Sequence, residues 1–154
     1  MLKAALGIDM MHGFGQQLIR HKKYKGDFIM EEIDLNKVAE SWIKMHHFGE
    51  GSVEYNANYW AYCRLIDLCD DDPEKCFKVI ELIRSIDGSD LILSNLAAGP
   101  LEDLLSKHGE LFIDRIEKYA QTDPQLKKLL GAVWQNSISD AIWERIKALV
   151  DSSW

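Results

Sequence analysis

Three prolines divide the chain and restrict what it can fold into. Pro73 and Pro124 each follow an aspartate, and Pro100 follows Gly99. Proline is tolerated in the first turn of a helix, where its missing N–H would have no partner, but it breaks a helix interior. An aspartate just before that turn caps free amide groups. The three prolines therefore predict helix starts at residues 73, 100 and 124.

The apolar residues between 34 and 150 recur with the spacing of helices. No run alternates between apolar and polar side chains between hairpin turns, as a half-buried strand does. Short helices joined by short turns are typical of stacked antiparallel pairs. We therefore predict an all-α protein, a compact irregular helical bundle or a short α-α superhelix of about seven to nine helices. The predicted helices are 34–47, 52–69, 73–86, 90–98, 101–107, 110–121, 124–134 and one that follows Ser139.

The apolar residues of each predicted helix form a stripe along one face, and the position of a side chain relative to this stripe predicts whether it is buried. Trp60 and Trp134 fall on apolar faces and are predicted to lie in the core. Trp143 stands one position off the stripe of the last helix and is predicted to be partly exposed. Gly109 is predicted to end the helix 101–107. The stripe that contains Trp60 is predicted to include Tyr59, Cys63 and Ile66, with Cys69 as a further candidate at its end.

The charge of the chain is unevenly distributed. Residues 1–30 carry five basic and two acidic side chains, a balance of +3. Residues 31–154 carry 13 basic and 23 acidic side chains, a balance of −10. The change near Met30 predicts that residues 1–29 are an N-terminal extension, a short regulatory arm, or translated sequence upstream of the native start. Residues 30–154 are predicted to form a single helical domain.

The composition also limits the partners. A formal net charge of −7 argues against a nucleic-acid-binding protein, whose footprint is basic. The basic-aromatic cluster at residues 20–25 has the chemistry to contact RNA or anionic lipid. A simpler interpretation is that these basic side chains are only solvated at the protein surface. No apolar run approaches the roughly 20 residues that span a bilayer, and the N-terminus lacks a signal-peptide pattern. We therefore expect a cytoplasmic protein without a membrane partner.

The cysteines and histidines lack the spacings of metal or cofactor sites. Cys63, Cys69 and Cys76 are odd in number and too widely spaced for a zinc pair, so we expect buried or half-buried thiols in a reducing cytosol. His46 and His47 are adjacent and therefore diverge on a helix. The glycines near the N-terminus lack the third member of a dinucleotide fingerprint. We expect no metal and no cofactor.

One segment of the chain resembles a known family. Residues 96–109 read LAAGPLEDLLSKHG and resemble the central signature of a bacterial helical domain family of unknown function. The resemblance covers roughly residues 55–150, does not reach residues 1–30, and implies a compact helical protein without assigned catalytic residues. Cys76 departs from the family pattern, which implies a small residue such as alanine there. Further similarities are Trp60-Ala61, Asp72-Pro73, Phe112-Ile113, Ala120, Asp123-Pro124 and LGAVW at 130–134.

Glu102, Asp103 and His108 are the candidates for chemistry, because two carboxylates and an imidazole within a short segment can support acid–base catalysis. Within one helix they do not converge, since adjacent residues point about 100° apart. The same residue types also stabilise helix ends, with acids at the start and histidine at the end. A hydrolase-type enzyme that uses these three residues is therefore an alternative hypothesis. It requires a concave pocket that holds all three.

Acidic and aromatic residues provide candidates for protein binding. An exposed tryptophan next to an acidic surface is typical of a protein-binding patch. We predict a small cytoplasmic protein that binds a protein partner, most concretely an immunity- or antitoxin-like protein that neutralises a basic partner attracted by charge. The binding residues are predicted to be Asp70, Asp71, Asp72, Asp140, Trp143 and Glu144.

A third hypothesis is a helical scaffold subunit of a larger complex, with residues 1–29 as its tether. This hypothesis requires a sizeable exposed apolar patch, which an isolated monomer would not display.

Overall fold

The computed structural model describes residues 34–151, and every regular element within them is helical. The all-α prediction is confirmed for these residues. None of the helices described has the length and apolar character needed to cross a bilayer. The helices are α1 (Leu35–His47), α2 (Val53–Asp71), α3 (Pro73–Ile86), α4 (Asp90–Leu96), α5 (Glu102–Ala120), α6 (Pro124–Gly131) and α7 (Asp140–Asp151), and a π-helical turn, Ala97–Leu101, joins α4 to α5.

Two of the three predicted proline starts are confirmed. Pro73 and Pro124 occupy the first turns of α3 and α6. The carboxylates of Asp72 and Asp123 each accept a hydrogen bond from the amide of the third residue of the helix that follows, at 3.2 and 2.9 Å. Each aspartate therefore satisfies an amide group that its helix leaves without a partner.

The third predicted start, at Pro100, is wrong. Pro100 lies inside the π-helical turn, and the chain passes from α4 through this turn into α5 without a loop. In a regular α-helix the proline ring would clash with the carbonyl four residues earlier. The wider π turn takes that carbonyl out of register with the ring. Because of this continuity, residues 34–151 form six helical segments, fewer than the seven to nine predicted.

Gly109 is buried and follows His108, whose non-helical backbone divides α5 into two helical parts, so the predicted end of a helix at this point is confirmed. A Cβ atom at this position would lie 3.1 Å from both Cγ atoms of Ile142 on α7. Glycine therefore allows α5 and α7 to approach closely at this point. The residue before it, His108, has φ −135° and ψ 19°, which kinks α5 at the same place.

The core lies where α1, α2 and α3 pack together and where α4, the π turn and α5 pack against α1, α3, α6 and α7. The rings of Phe77 and Phe112 lie 5.1 Å apart and join α3 to α5. The largest fully buried side chains include Trp42, Phe112, Met45, Leu65, Ile80, Ile83, Ile92, Leu96, Leu101 and Leu104.

Arginine ion pairs link the helices outside this core. Arg84 on α3 binds Asp123 at the start of α6, with 2.7 Å between nitrogen and oxygen. Arg145 on α7 binds Asp114 and Glu117 on α5 at 2.5 and 2.6 Å. The Arg84 side chain is only 11% exposed, so its pair is the more sheltered from solvent screening.

The predicted extension at residues 1–29, including the basic cluster at 20–25, lies outside the described residues. The boundary predicted near residue 30 therefore stays a prediction.

Phe112→Ala is expected to lower the free energy of unfolding by about 3–5 kcal/mol, because the side chain is fully buried and its removal leaves a cavity. The neighbouring Leu111 is 66% exposed, so Leu111→Ala is expected to change that free energy by less than about 0.5 kcal/mol. Urea unfolding monitored by circular dichroism measures both. Equal costs for the two variants would contradict the register of α5.

Asp87 is expected to contribute to stability in a pH-dependent way. Its carboxylate lies 2.7 Å from His47 Nε2 and accepts the Ser89 amide at 2.9 Å, and these bonds lower its pKa from 3.8 to about 2. Because the folded-state pKa is lowered, the contribution is full above pH 3.8 and is lost as the pH falls towards about 2.

The measurement for Asp87 is urea unfolding between pH 7 and pH 2. The difference in stability between the wild type and Asp87→Asn is expected to disappear over the acid range. Glu40→Gln, which removes an exposed carboxylate from α1, controls for the loss of one negative charge. A difference between wild type and Asp87→Asn that stays constant down to pH 2 would contradict the expectation.

Candidate functional site

The three residues predicted for catalysis have separate partners. The Glu102 carboxylate accepts a hydrogen bond from the side-chain amide of Asn136, in the loop before α7. His108 Nε2 lies 2.8 Å from the backbone carbonyl oxygen of Cys69 on α2, so the ring donates to that oxygen. Asp103 lines a narrow cleft elsewhere on α5. The structure therefore does not bring the three side chains to one pocket, which the hydrolase hypothesis requires.

His108 has a structural explanation. Cys69 lies in the last turn of α2, where carbonyl groups lack an amide partner within the helix. The imidazole of His108 satisfies one of these carbonyls from the kink of α5. The bond therefore joins α5 to the end of α2.

The cleft lies between α1, α2, the π turn and the start of α5. The volume of the cleft is about 20 Å³, so it holds a single water molecule and is too small for a metabolite. Trp42 lines it and is fully buried, and its indole Nε1 has no hydrogen-bond acceptor among the described residues. Its other lining residues are Tyr62, Leu65, Ile66, Cys69, Gly99, Pro100 and Asp103.

Asp103 carries a charge that its surroundings disfavour. Part of the side chain reaches solvent, yet the protein around it raises the pKa of its carboxyl group by desolvation. The neighbouring carboxylates of Glu102 and Asp70 raise this pKa further, and Lys107 opposes them.

The acidic turn predicted for binding serves mainly the fold. Asp70 forms an ion pair with Lys107 on α5 at 2.5 Å. Asp72 caps α3 and binds Lys75 at 3.0 Å. Asp71 is exposed. Asp70 and Asp72 therefore have intramolecular roles between α2, α3 and α5.

The other predicted binding residues lie in the first half of α7. Asp140 accepts a hydrogen bond from the Gln135 side chain at 2.7 Å, and Glu144 binds Lys147 one turn later at the same distance. Trp143 is half-buried, in agreement with the expectation of partial exposure.

The predicted core stripe of α2 is wrong except at its end, where the candidate Cys69 is buried, and the correction reveals a different surface. The buried residues of this helix are Ala61, Leu65, Leu68 and Cys69. Trp60 is 41% exposed instead of lying in the core. Trp134 is also exposed, at 55%, because α6 ends at Gly131 and leaves it in the following loop. Apolar side chains occur on several sides of α2, so helical spacing alone cannot tell which stripe is buried.

The second stripe of α2 consists of Tyr55, Tyr59, Tyr62 and Ile66, which we call the tyrosine face. These residues recur at i, i+4, i+7 and i+11, the spacing of one helix face, and all four are half-buried. The ring centroids of Tyr55 and Tyr59 lie 6.0 Å apart, and those of Tyr59 and Tyr62 lie 5.4 Å apart. The face ends at the cleft, which Tyr62 and Ile66 line.

One carboxylate lies near each end of the tyrosine face, Glu50 near Tyr55 and Asp103 near Tyr62. Glu50 adds to the desolvation that raises the pKa of Tyr55. Burial and the nearby Asp103 raise the pKa of Tyr62 to about 12. α2 itself carries four carboxylates and one arginine. The face is therefore aromatic with a negative border.

Residues 34–151 contain no group of three or more His, Cys, Asp or Glu side chains arranged to hold a metal ion. The tyrosine face and the adjoining cleft are therefore the candidate site, and neither has a constellation for nucleophilic or metal-assisted chemistry.

Asp103→Asn is expected to increase the free energy of unfolding at neutral pH. A raised pKa means that the folded state binds the proton more readily than the unfolded chain, so the charged carboxylate lowers stability. The gain in the free energy of unfolding should shrink as the pH falls to 3.8 and below, because the wild-type carboxyl group becomes protonated in both the folded and the unfolded state. Urea unfolding at pH 7 and pH 3.5 measures it, with Glu110→Gln as the control on α5. A loss of stability at pH 7 would show instead that the charge is stabilising.

A match to a known protein family includes most of the residues that form the fold. The model of a family described as "Family of unknown function (DUF6869)" matches residues 49–154, more than half of the chain. No curated protein and no solved structure matches the chain. The matched range includes the LAAGPLEDLLSKHG segment and the helices from α2 to α7. The chain therefore belongs to the family of unknown function DUF6869.

Proposed function

We propose that this protein acts by binding a basic protein partner through the tyrosine face and the carboxylates around it. The observation that carries the proposal is the alignment of three half-buried tyrosine rings along α2, on a stripe separate from the buried residues of this helix. The buried residues of α2 include Ala61, Leu65 and Leu68, and none of them belongs to the tyrosine face.

Tyrosine suits an interface because it offers a large, rigid ring at a small cost in side-chain entropy, together with a hydroxyl group that can hydrogen-bond. Residues that dominate binding energy are enriched in tyrosine, tryptophan and arginine. Tyr55, Tyr59 and Tyr62 are half-buried, so part of each ring and its surroundings is available to a partner without unfolding of α2.

The charge of the protein supports a basic partner. Residues 31–154 have a balance of −10, and Glu50 and Asp103 lie beside the tyrosine face. Complementary charge accelerates association and selects against partners of like charge. The concrete form of the proposal is an immunity- or antitoxin-like protein of the cytoplasm that neutralises a basic protein.

The experiment places the photoreactive amino acid p-benzoylphenylalanine at position 59 of the full chain, expressed in the host of origin. The control carries it at position 110, an exposed site on α5. The proposal predicts an adduct with a protein of net positive charge at position 59 and none at position 110. The yield should fall when salt is raised, because screening weakens the attraction.

Purification of that partner allows its affinity to be measured. Tyr59→Ala is expected to weaken binding about 30-fold or more, the effect of a residue worth about 2 kcal/mol at an interface. An acidic partner, an adduct confined to the chain's own residues, or equal adducts at positions 59 and 110 would overturn the proposal.

A further inference from the structure

The carboxylate of Asp103 has no partner within the described part of the chain, where it forms neither a hydrogen bond nor an ion pair. The two neighbouring carboxylates do have partners, since Glu102 is bound by Asn136 and Asp70 by Lys107. Lys107 follows Asp103 by one helical turn, but its ammonium group lies 2.5 Å from Asp70. Because the Asp103 side chain is exposed, its carboxylate is accessible to a group from another molecule.

The fold gives this carboxylate no stabilising role. Acidic side chains favour the start of a helix because they interact with its free amide groups and its dipole. Asp103 does not occupy such a start, since the π turn leads into α5 without a loop and the Glu102 amide already bonds to the Gly99 carbonyl. Desolvation and the adjacent negative charges raise the pKa of Asp103, so its charge lowers stability. Local features that oppose the fold are expected at functional sites.

Asp103 also lies within reach of a partner bound to the tyrosine face. It lines the cleft together with Tyr62, Ile66 and Pro100, and the tyrosine face ends at this cleft. Three carboxylates and one ammonium group lie near each other here, so the local charge is negative. A lysine or arginine side chain can lay its methylene groups along apolar surface and place its charged end at a carboxylate.

We propose that Asp103 binds a lysine or arginine side chain of the basic partner and thereby fixes the position of that partner on the tyrosine face. This contact rests on the function proposed for the tyrosine face and identifies the group that selects the partner. The partner supplies the cation that the protein itself does not provide, in a charge-assisted hydrogen bond. A protein without a cation at this point would leave the carboxylate desolvated and unpaired, which disfavours its binding.

The experiment uses the basic partner captured at position 59 and then purified. Its Kd is measured for the full-length wild type, for Asp103→Asn and for Glu110→Gln, which removes an exposed carboxylate from the same helix. Asp103→Asn keeps the shape of the side chain and removes its charge, so we expect it to weaken binding about 10-fold or more. Glu110→Gln should change the Kd less than about twofold. Added salt should reduce the difference between the two variants.

A second readout distinguishes a contact with the partner from a role in the fold. Carboxyl NMR of the ¹³C-labelled protein gives the pKa of Asp103 in the free and in the bound chain, and a cation from the partner should lower it. Asp103→Asn is also expected to stabilise the free chain while it weakens binding, whereas a structural residue would lose both when replaced.

Equal affinities of Asp103→Asn and Glu110→Gln, or a pKa of Asp103 that does not change on binding, would overturn this inference and leave the proposed function of the tyrosine face intact. Loss of both stability and affinity in Asp103→Asn would assign the residue to the fold and overturn the inference as well. Absence of a basic partner at position 59 would instead overturn the proposed function, and this contact with it.

Discussion

The rest of the fold depends on the π turn at Ala97–Leu101, which accommodates Pro100 inside a helical run. The turn joins α4 to α5 without a loop, so residues 90–120 form one segment that is kinked at His108. That segment contacts α1 and α3 through α4, and α3, α6 and α7 through α5. It also supplies Gly99, Pro100 and Asp103 to the cleft. A break at Pro100 would free α4 from α5 and remove one wall of the cleft.

The packing of α2 follows from this arrangement. α2 packs mainly on α1 and α3 and only lightly on α5 and the π turn, so a single stripe of its side chains is needed for the core. The other stripe, the tyrosine face, has a half-buried position beside the cleft. Leu65 therefore lies in the core, whereas Tyr59 on the same helix is half-buried at the surface. The acidic turn that follows α2 mostly holds the adjoining helices together through Asp70 and Asp72.

Local signals predicted much of the fold from the sequence. Asp72-Pro73 and Asp123-Pro124 mark helix starts because a cap and a first-turn proline act within a few residues. Pro100 was misleading, because whether it begins a helix depends on the π turn around it. Gly109 lies directly after the kink of α5, and the close approach of Ile142 there, 33 residues away in the chain, has no local signal in the sequence.

The candidate site was less predictable than the fold. Helical spacing cannot choose between two apolar stripes on α2, since only the tertiary packing decides that Ala61 is buried and Trp60 exposed. The helix spacing of Tyr55, Tyr59 and Tyr62 was present in the sequence and could have identified the tyrosine face.

We propose that the tyrosine face is an interaction surface and not a part of the core. The free energies of unfolding of Tyr59→Ala and Leu65→Ala, measured by urea titration, test this directly. We expect a loss of about 1 kcal/mol or less for Tyr59→Ala and about 2–5 kcal/mol for Leu65→Ala, which is 2% exposed. Equal losses would overturn the proposal, because they would place Tyr59 among the residues that hold the fold together.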